Sequence, residues 1–156
     1  MVTFTYYMSP VGLLELSATT DALYTLDFVN DERVAASNLV HPLLDYTKAQ
    51  LDEYFAGDRT AFSIPLHLAG TDFQEKVWRA LLTIGYGETR SYGAIAVQVG
   101  SPKASRAVGM ANNRNPIGII IPCHRVIGSD GSLVGFGGGL EKKIWLLNHE
   151  GVAVKE

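Results

Sequence analysis

The sequence predicts a mixed α/β protein of the α+β kind, with a small antiparallel sheet first and a mainly helical part after it. Three observations carry that prediction. The first third alternates β-rich runs with turn residues, and the second half carries repeated helix caps. The charge also changes sign between them: residues 1–71 carry three basic side chains against nine acidic ones, and 72–156 carry ten against seven. The join falls at 67–71, so the expected domains are 1–70 and 71–156. With 47% hydrophobic and 19% charged residues among 156, the composition is globular and excludes a coiled coil, a collagen-like repeat or a disordered tail.

The elements follow in order. Val2–Met8 and Gly12–Ala18 are β-rich runs around Ser9-Pro10, and Ala22–Val29 follows Thr19-Thr20-Asp21, so the three form a meander. From Pro42 to Phe55 the apolar residues suit an amphipathic helix stopped by Gly57. Phe62–Leu66 reads as one more short strand. Thr71-Asp72-Phe73-Gln74 is a capping box, and Phe73, Val77, Trp78, Leu81 and Leu82 then recur at helical spacing until about Gly85. Two short helices come next, Ser91–Val99 capped by Ser91, and Pro102 to about Asn112 with Ser101 as cap. Joined through Gly100, they read either as a helix-turn-helix or as a tight packing motif of the core. Small residues line the second of them, which lets its backbone approach a groove. A last helix, Glu141–His149, is closed by Gly151.

Several classes drop out. The longest apolar run, 117–122, is far below the ~20 residues of a membrane span, and the first residues lack an export signal. A single cysteine forms no internal disulfide, so a reducing, cytoplasmic location is expected. His41, His67, His124 and His149 lack the spacing of ligand pairs, and no metal is expected. Between Thr89 and Ser129 there are Arg90, Lys103, Arg106, Arg114 and Arg125 and no acid, which is either a footprint for a phosphate backbone or a solvated face.

The chemistry concentrates at Asn115-Pro116-Ile117-Gly118-Ile119-Ile120-Ile121-Pro122-Cys123-His124-Arg125-Val126. A buried strand is expected to lead to Pro122, which begins a helical turn with Cys123 near its positive end. That field, Arg125 and an imidazole would hold the thiol below its free pKa of ~8.5. The competing reading is an inert buried cysteine. Gly135-Phe136-Gly137-Gly138-Gly139 suggests backbone close to a flat ligand, and it lacks the Lys-Ser/Thr ending of a phosphate loop.

With these residues in view, the sequence resembles the O6-alkylguanine-DNA alkyltransferases. The motifs are Ile121-Pro122-Cys123-His124-Arg125-Val126, Gly87-Glu88-Thr89-Arg90-Ser91-Tyr92, Lys103-Ala104-Ser105-Arg106-Ala107-Val108-Gly109, Asn115-Pro116 and Trp145-Leu146-Leu147-Asn148-His149-Glu150-Gly151. They span Phe73–Gly151; the amino-terminal part matches loosely, through Ser9-Pro10 and Gly12. The resemblance implies a ribonuclease-H-like small domain and a winged-helix-like domain with a helix-turn-helix. It implies Cys123 as alkyl acceptor, His124 as base through a water, Glu150 as its orienter, Asn115 as holder of the active-site turn and Tyr92 as donor to the flipped guanine. Arg106 would fill the gap in the stack, with Tyr92, Lys103, Ala104, Ser105, Ala107 and Arg125 also at the DNA. Val126, Phe136, Gly137 and Met110 would line the base pocket.

The implied partner is duplex DNA containing O6-alkylguanine, bound in the minor groove by a monomer without cofactor. Activity on O4-alkylthymine and clustering along DNA are left open. Phe136 stands where relatives often carry Tyr, Gly137 replaces a residue with a small side chain, and the cysteines that hold zinc in some relatives are missing. Against this stand a turning-over cysteine hydrolase using Cys123 and His124, and a non-catalytic helix-turn-helix binder in which Cys123 is structural.

Overall fold

The computed structural model describes residues 1–37, 39–133, 136 and 139–154. The chain divides into two compact units, Met1–Leu68 and Ala69–Glu156. In the first, strands β1 (Thr3–Ser9), β2 (Gly12–Ala18) and β3 (Leu23–Phe28) form an antiparallel sheet in the order β1-β2-β3. Tyr6 pairs with Glu15 and Leu16 with Leu26. Leu14, Leu16 and Ala18 point to one face, as the period of two demands, and all are buried. Helix α1 (Pro42–Phe55) packs against β1 and β2, burying Leu44, Leu51 and Tyr54. Pro42 opens it, and the His41 ring accepts from the Leu44 amide at 3.2 Å.

On the other face Glu15 is buried. It accepts from the Tyr6 hydroxyl at 2.8 Å and from Arg33 at 2.9 Å. The strand expected at Phe62–Leu66 does not form. The Leu23 amide donates to Pro65 and the His67 amide to Leu23, giving a single parallel bridge, Leu23 to Leu66. Pro65 has no N–H to extend a ladder, which limits the pairing to that bridge.

The second unit opens with α2 (Asp72–Leu81), and both arms of the capping box form: the Gln74 amide donates to Thr71 Oγ1 and the Thr71 amide to Gln74 Oε1. Trp78 is buried, and its indole N–H donates to the Ala111 carbonyl at 2.9 Å. Helix α3 (Tyr92–Gln98) is capped by Ser91, and Gly100, at φ +82°, supplies the left-handed turn into the next segment. Helix α4 covers Ser105–Asn113, so it begins three residues after the expected start. Pro102 and Lys103 form a separate turn closed by the Ala104 amide on the Ser101 carbonyl, and the first bond into α4 runs from Val108 to Ala104. Proline at 102 fits a turn as well as a first helical residue, and the sequence pattern does not separate the two. Helix α5 (Leu140–His149) completes the unit.

A two-residue parallel ladder sets the site. β4 (Arg90–Ser91) pairs with β5 (Val126–Ile127), Arg90 opposite Val126. Tyr92 follows one strand directly and Cys123-His124-Arg125 precedes the other, so the ladder brings the start of α3 to the Cys123 turn.

Candidate active site

The segment before Cys123 is not the expected strand. Ile119 adopts φ +69°, the Ile120 amide donates to Gly118 and the Ile121 amide to Ile117, so the chain coils tightly. A left-handed β-branched residue is costly and survives only where its surroundings fix it. Here Ile117, Ile119 and Ile121 are all buried, and Asn115 cinches the loop. Its Nδ2 donates to the Ile121 carbonyl at 2.7 Å and its Oδ1 accepts from the Ile117 amide at 3.0 Å. An apolar run enclosed on all sides looks like a core strand in sequence, because periodicity is silent there.

Pro122 is the cap, and Cys123–Arg125 form one turn of 3₁₀ helix. Cys123 is only 6% exposed. Burial pushes its thiol above its ordinary range, which corrects the expected depression. A hydrogen bond from Asn115, the Lys143 cation and the backbone N–H groups of Cys123 and His124 pull the other way. Water exclusion outweighs them because a thiolate loses its hydration at this depth.

His124 and Arg125 converge on Glu150, at the C-cap of α5. His124 Nε2 lies 2.8 Å from Glu150 Oε2. Arg125 donates through Nε to Oε1 at 2.7 Å and through Nη2 to Oε2 at 3.0 Å, a bidentate pair, and through Nη1 to the Ile84 carbonyl at 2.6 Å. Burial pushes the His124 pKa down, so the ring is neutral in the free protein. A carboxylate only accepts, so the proton sits on Nε2 and leaves Nδ1 as a lone-pair acceptor. The expectation of Arg125 at the DNA is thereby corrected: its guanidinium is buried and engaged by Glu150, out of reach of a phosphate.

Lys143 was not among the expected site residues. It is fully buried on α5, donates to the Val126 carbonyl at 2.6 Å, and lies 5.9 Å from the centroid of the Tyr92 ring. Burial lowers its pKa to about 8, with the Cys123 charge opposing. Position 143 continues the apolar stripe of Leu140 and Leu147, a signal that sequence inspection passed over because lysine is normally a surface residue. Replacing it with methionine (Lys143→Met) removes a buried cation. Relief of the buried charge is expected to be offset by the stranded Val126 carbonyl, an unsatisfied acceptor costing ~1–3 kcal/mol, so thermal stability at neutral pH changes little. The apparent pKa of Cys123, followed by thiolate absorbance, is expected to move up.

The remaining expected residues distribute as follows. Tyr92 lays its ring on α4, 3.8 Å from where a side chain on Gly109 would begin, an ordinary contact distance. Its phenol is pushed above its ordinary range by burial and by Cys123, and it remains a donor. Arg106, Ala107 and Lys103 are exposed on α4 and the turn before it, with Ala104 and Ser105 half-buried between them. Val126 is buried, and the carbonyl of the half-buried Phe136 accepts from Gly139. Gly137 lies outside the described residues. Met110 is 60% exposed in a shallow apolar cleft with Phe73, Gln74, Ala107 and Arg114. It lies on the side of α4 away from Asn112, two residues on, whose Nδ2 reaches the Cys123 carbonyl. The pocket role expected for Met110 is therefore not supported by its place on the helix.

A helix-turn-helix thus lies against a buried cysteine, with a His–Glu–Arg chain behind it. Residues 72–152 match the family described as 6-O-methylguanine DNA methyltransferase, DNA binding domain, and residues 2–68 its ribonuclease-like domain. The chain belongs to this 6-O-methylguanine DNA methyltransferase family. A methylated-DNA--protein-cysteine methyltransferase of Mycobacterium leprae is 53% identical over 146 residues, 91% of this chain and 88% of the relative. The constitutive methylated-DNA--protein-cysteine methyltransferase of Bacillus subtilis is 48% identical, with 98% of each chain covered. Mycobacterium tuberculosis OGT in complex with DNA superimposes at a TM-score of 0.87 and 48% identity, covering 95% of this chain and 92% of that one. Among the described residues, no helix is long and apolar enough to cross a membrane, and no group of three or more His, Cys, Asp or Glu could hold a metal.

Proposed function

We propose that this protein repairs DNA by moving a methyl or other alkyl group from O6-alkylguanine to its own Cys123, once per molecule. The observation that carries the reading is the His124–Glu150 bond, which leaves Nδ1 as a buried base beside the only cysteine. Cys123 loses its proton to His124 through a water, Glu150 balances the imidazolium, and the sulfur attacks the alkyl carbon in line. Tyr92 gives a hydrogen bond to the ring of the departing guanine. Asn115 and Lys143 hold the sulfur and favour its charged form. The product is a thioether, which water does not cleave, so the cysteine is not regenerated.

The target carbon is out of reach in stacked duplex, so the nucleotide must leave the helix, at a few kcal/mol. In this reading α4 enters the minor groove with Arg106, Lys103, Ala104, Ser105 and Ala107 at the DNA, and Arg106 occupies the vacated place in the stack. A monomer acting in the cytoplasm suffices for that geometry. Arg106→Ala is expected to lower the transfer rate on duplex ~10- to 100-fold, the equivalent of ~1–3 kcal/mol of lost support for extrusion. Reaction with the free alkylated base is expected to be unchanged, and equal losses on both substrates would remove Arg106 from that role.

The test of the whole reading is intact-mass spectrometry after incubation with an O6-methylguanine oligonucleotide. The expected result is one methyl per protein, mapped to Cys123, with no turnover. Repeated turnover would establish a hydrolase, and tight binding without transfer a damage sensor.

A further inference from the structure

Asn112 lies in the last turn of α4 and is 1% exposed. Only a nitrogen can donate to a carbonyl, so its bond to the Cys123 carbonyl, at 3.3 Å, fixes the amide with Oδ1 as the remaining polar atom. That Oδ1 has no hydrogen-bond partner. The other buried side-chain atom without one, among the described residues, is His124 Nδ1. Both belong to residues joined directly to Cys123, one by a hydrogen bond and one by the peptide chain. Both are acceptors, so neither can satisfy the other. An unsatisfied buried acceptor costs ~1–3 kcal/mol, and an ordered water with two O–H groups is the smallest species that relieves both.

We propose that Asn112 Oδ1 and His124 Nδ1 share one ordered water, and that Asn112 is thereby a positioning residue for removal of the Cys123 proton. The inference rests on the alkyl-transfer reading and adds a residue to it. One O–H of the water points to Nδ1 and the other to Oδ1, which turns the oxygen lone pairs toward the thiol. As the S–H bond breaks, its proton passes to the water oxygen. The water's O–H toward His124 breaks at the same time, and that proton bonds to Nδ1. The sulfur keeps the electron pair that will form the S–C bond, and the water is restored. With Oδ1 removed, the second hydrogen has no fixed acceptor and the lone pairs lose their direction.

Two measurements on the full chain test this. In a high-resolution crystal structure of the unmodified protein, a water within hydrogen-bond distance of both Asn112 Oδ1 and His124 Nδ1 is expected. Its absence, or an amide turned so that Nδ2 meets His124, overturns the proposal. In single-turnover kinetics with an O6-methylguanine oligonucleotide, Asn112→Leu is expected to slow transfer about tenfold at neutral pH, with unchanged DNA affinity. The deficit is expected to close as rising pH ionises the thiol directly. A deficit equal at every pH, or none, assigns Asn112 a packing role instead. If the variant does not fold, the crystal structure decides alone. If the native protein accepts no methyl, the alkyl-transfer reading fails, and the position of the water is still decided by the structure.

Discussion

Glu150→Ala is expected to destabilise the 69–156 unit by about 3–5 kcal/mol, the usual effect of leaving a buried ion without its partner. Glu150 is 4% exposed and is bonded to His124 and, through both oxygens, to Arg125. Its loss strands a guanidinium that cannot neutralise itself, since arginine stays protonated. Added salt is expected to recover little of the loss, because screening acts weakly on buried pairs. Urea unfolding followed by tryptophan fluorescence reads the effect, Trp78 being buried in the same unit.

Glu150→Gln addresses the chemistry at a smaller structural cost than Glu150→Ala, although it too leaves Arg125 without its counter-charge. It keeps the shape and one acceptor oxygen but removes the charge that balances a protonated His124. A roughly hundredfold slower transfer with unchanged DNA affinity is expected, within the range of acid–base contributions. An unchanged rate would remove Glu150 from the proton path. Acid acts on the same group of residues. Burial holds the folded-state pKa of His124 below its ordinary 6.5, so the unfolded chain takes up that proton first. The unfolded state then binds more protons, and the contribution of His124 to stability is lost as pH falls below about 6.5.

The second large effect is at Cys123, the acceptor in the proposed transfer. Cys123→Ser is expected to abolish alkyl transfer, with no mass gain after prolonged incubation with the O6-methylguanine oligonucleotide. A serine hydroxyl ionises far less readily than a thiol and is a poorer nucleophile toward an alkyl carbon, so His124 cannot compensate. Binding to the same duplex is expected to persist, because Arg106 and the exposed face of α4 are untouched. Stability is expected to change little, since the hydroxyl fits the space of the sulfur and can accept from Asn115. A methyl found elsewhere on the variant would show that Cys123 is not the acceptor.

Much of the fold was legible where a local rule acts alone. The three strands of the meander, α1 after Pro42 and the capping box at Thr71 depend on neighbours in sequence, and each forms as read. The start of α4 was misplaced because Ser101-Pro102 satisfies both a helix cap and an isolated turn. The run 117–121 was misread because its apolar character reports enclosure, while the left-handed Ile119 is imposed by Asn115 and the surrounding core. Cys123 and His124 stood out because the chain has one thiol and it adjoins one of four imidazoles, whereas Glu150, one of sixteen acids, was picked out only through the family motif. Lys143 and Asn112 did not stand out, because their meaning comes from burial beside Cys123, which only tertiary structure supplies.

Enclosure of the sulfur has a further outcome under oxidative stress. Peroxide and glutathione disulfide select thiols that are exposed and ionised, and Cys123 in the resting protein is neither. If each molecule acts only once, as proposed above, this enclosure keeps Cys123 intact through encounters with common soluble electrophiles.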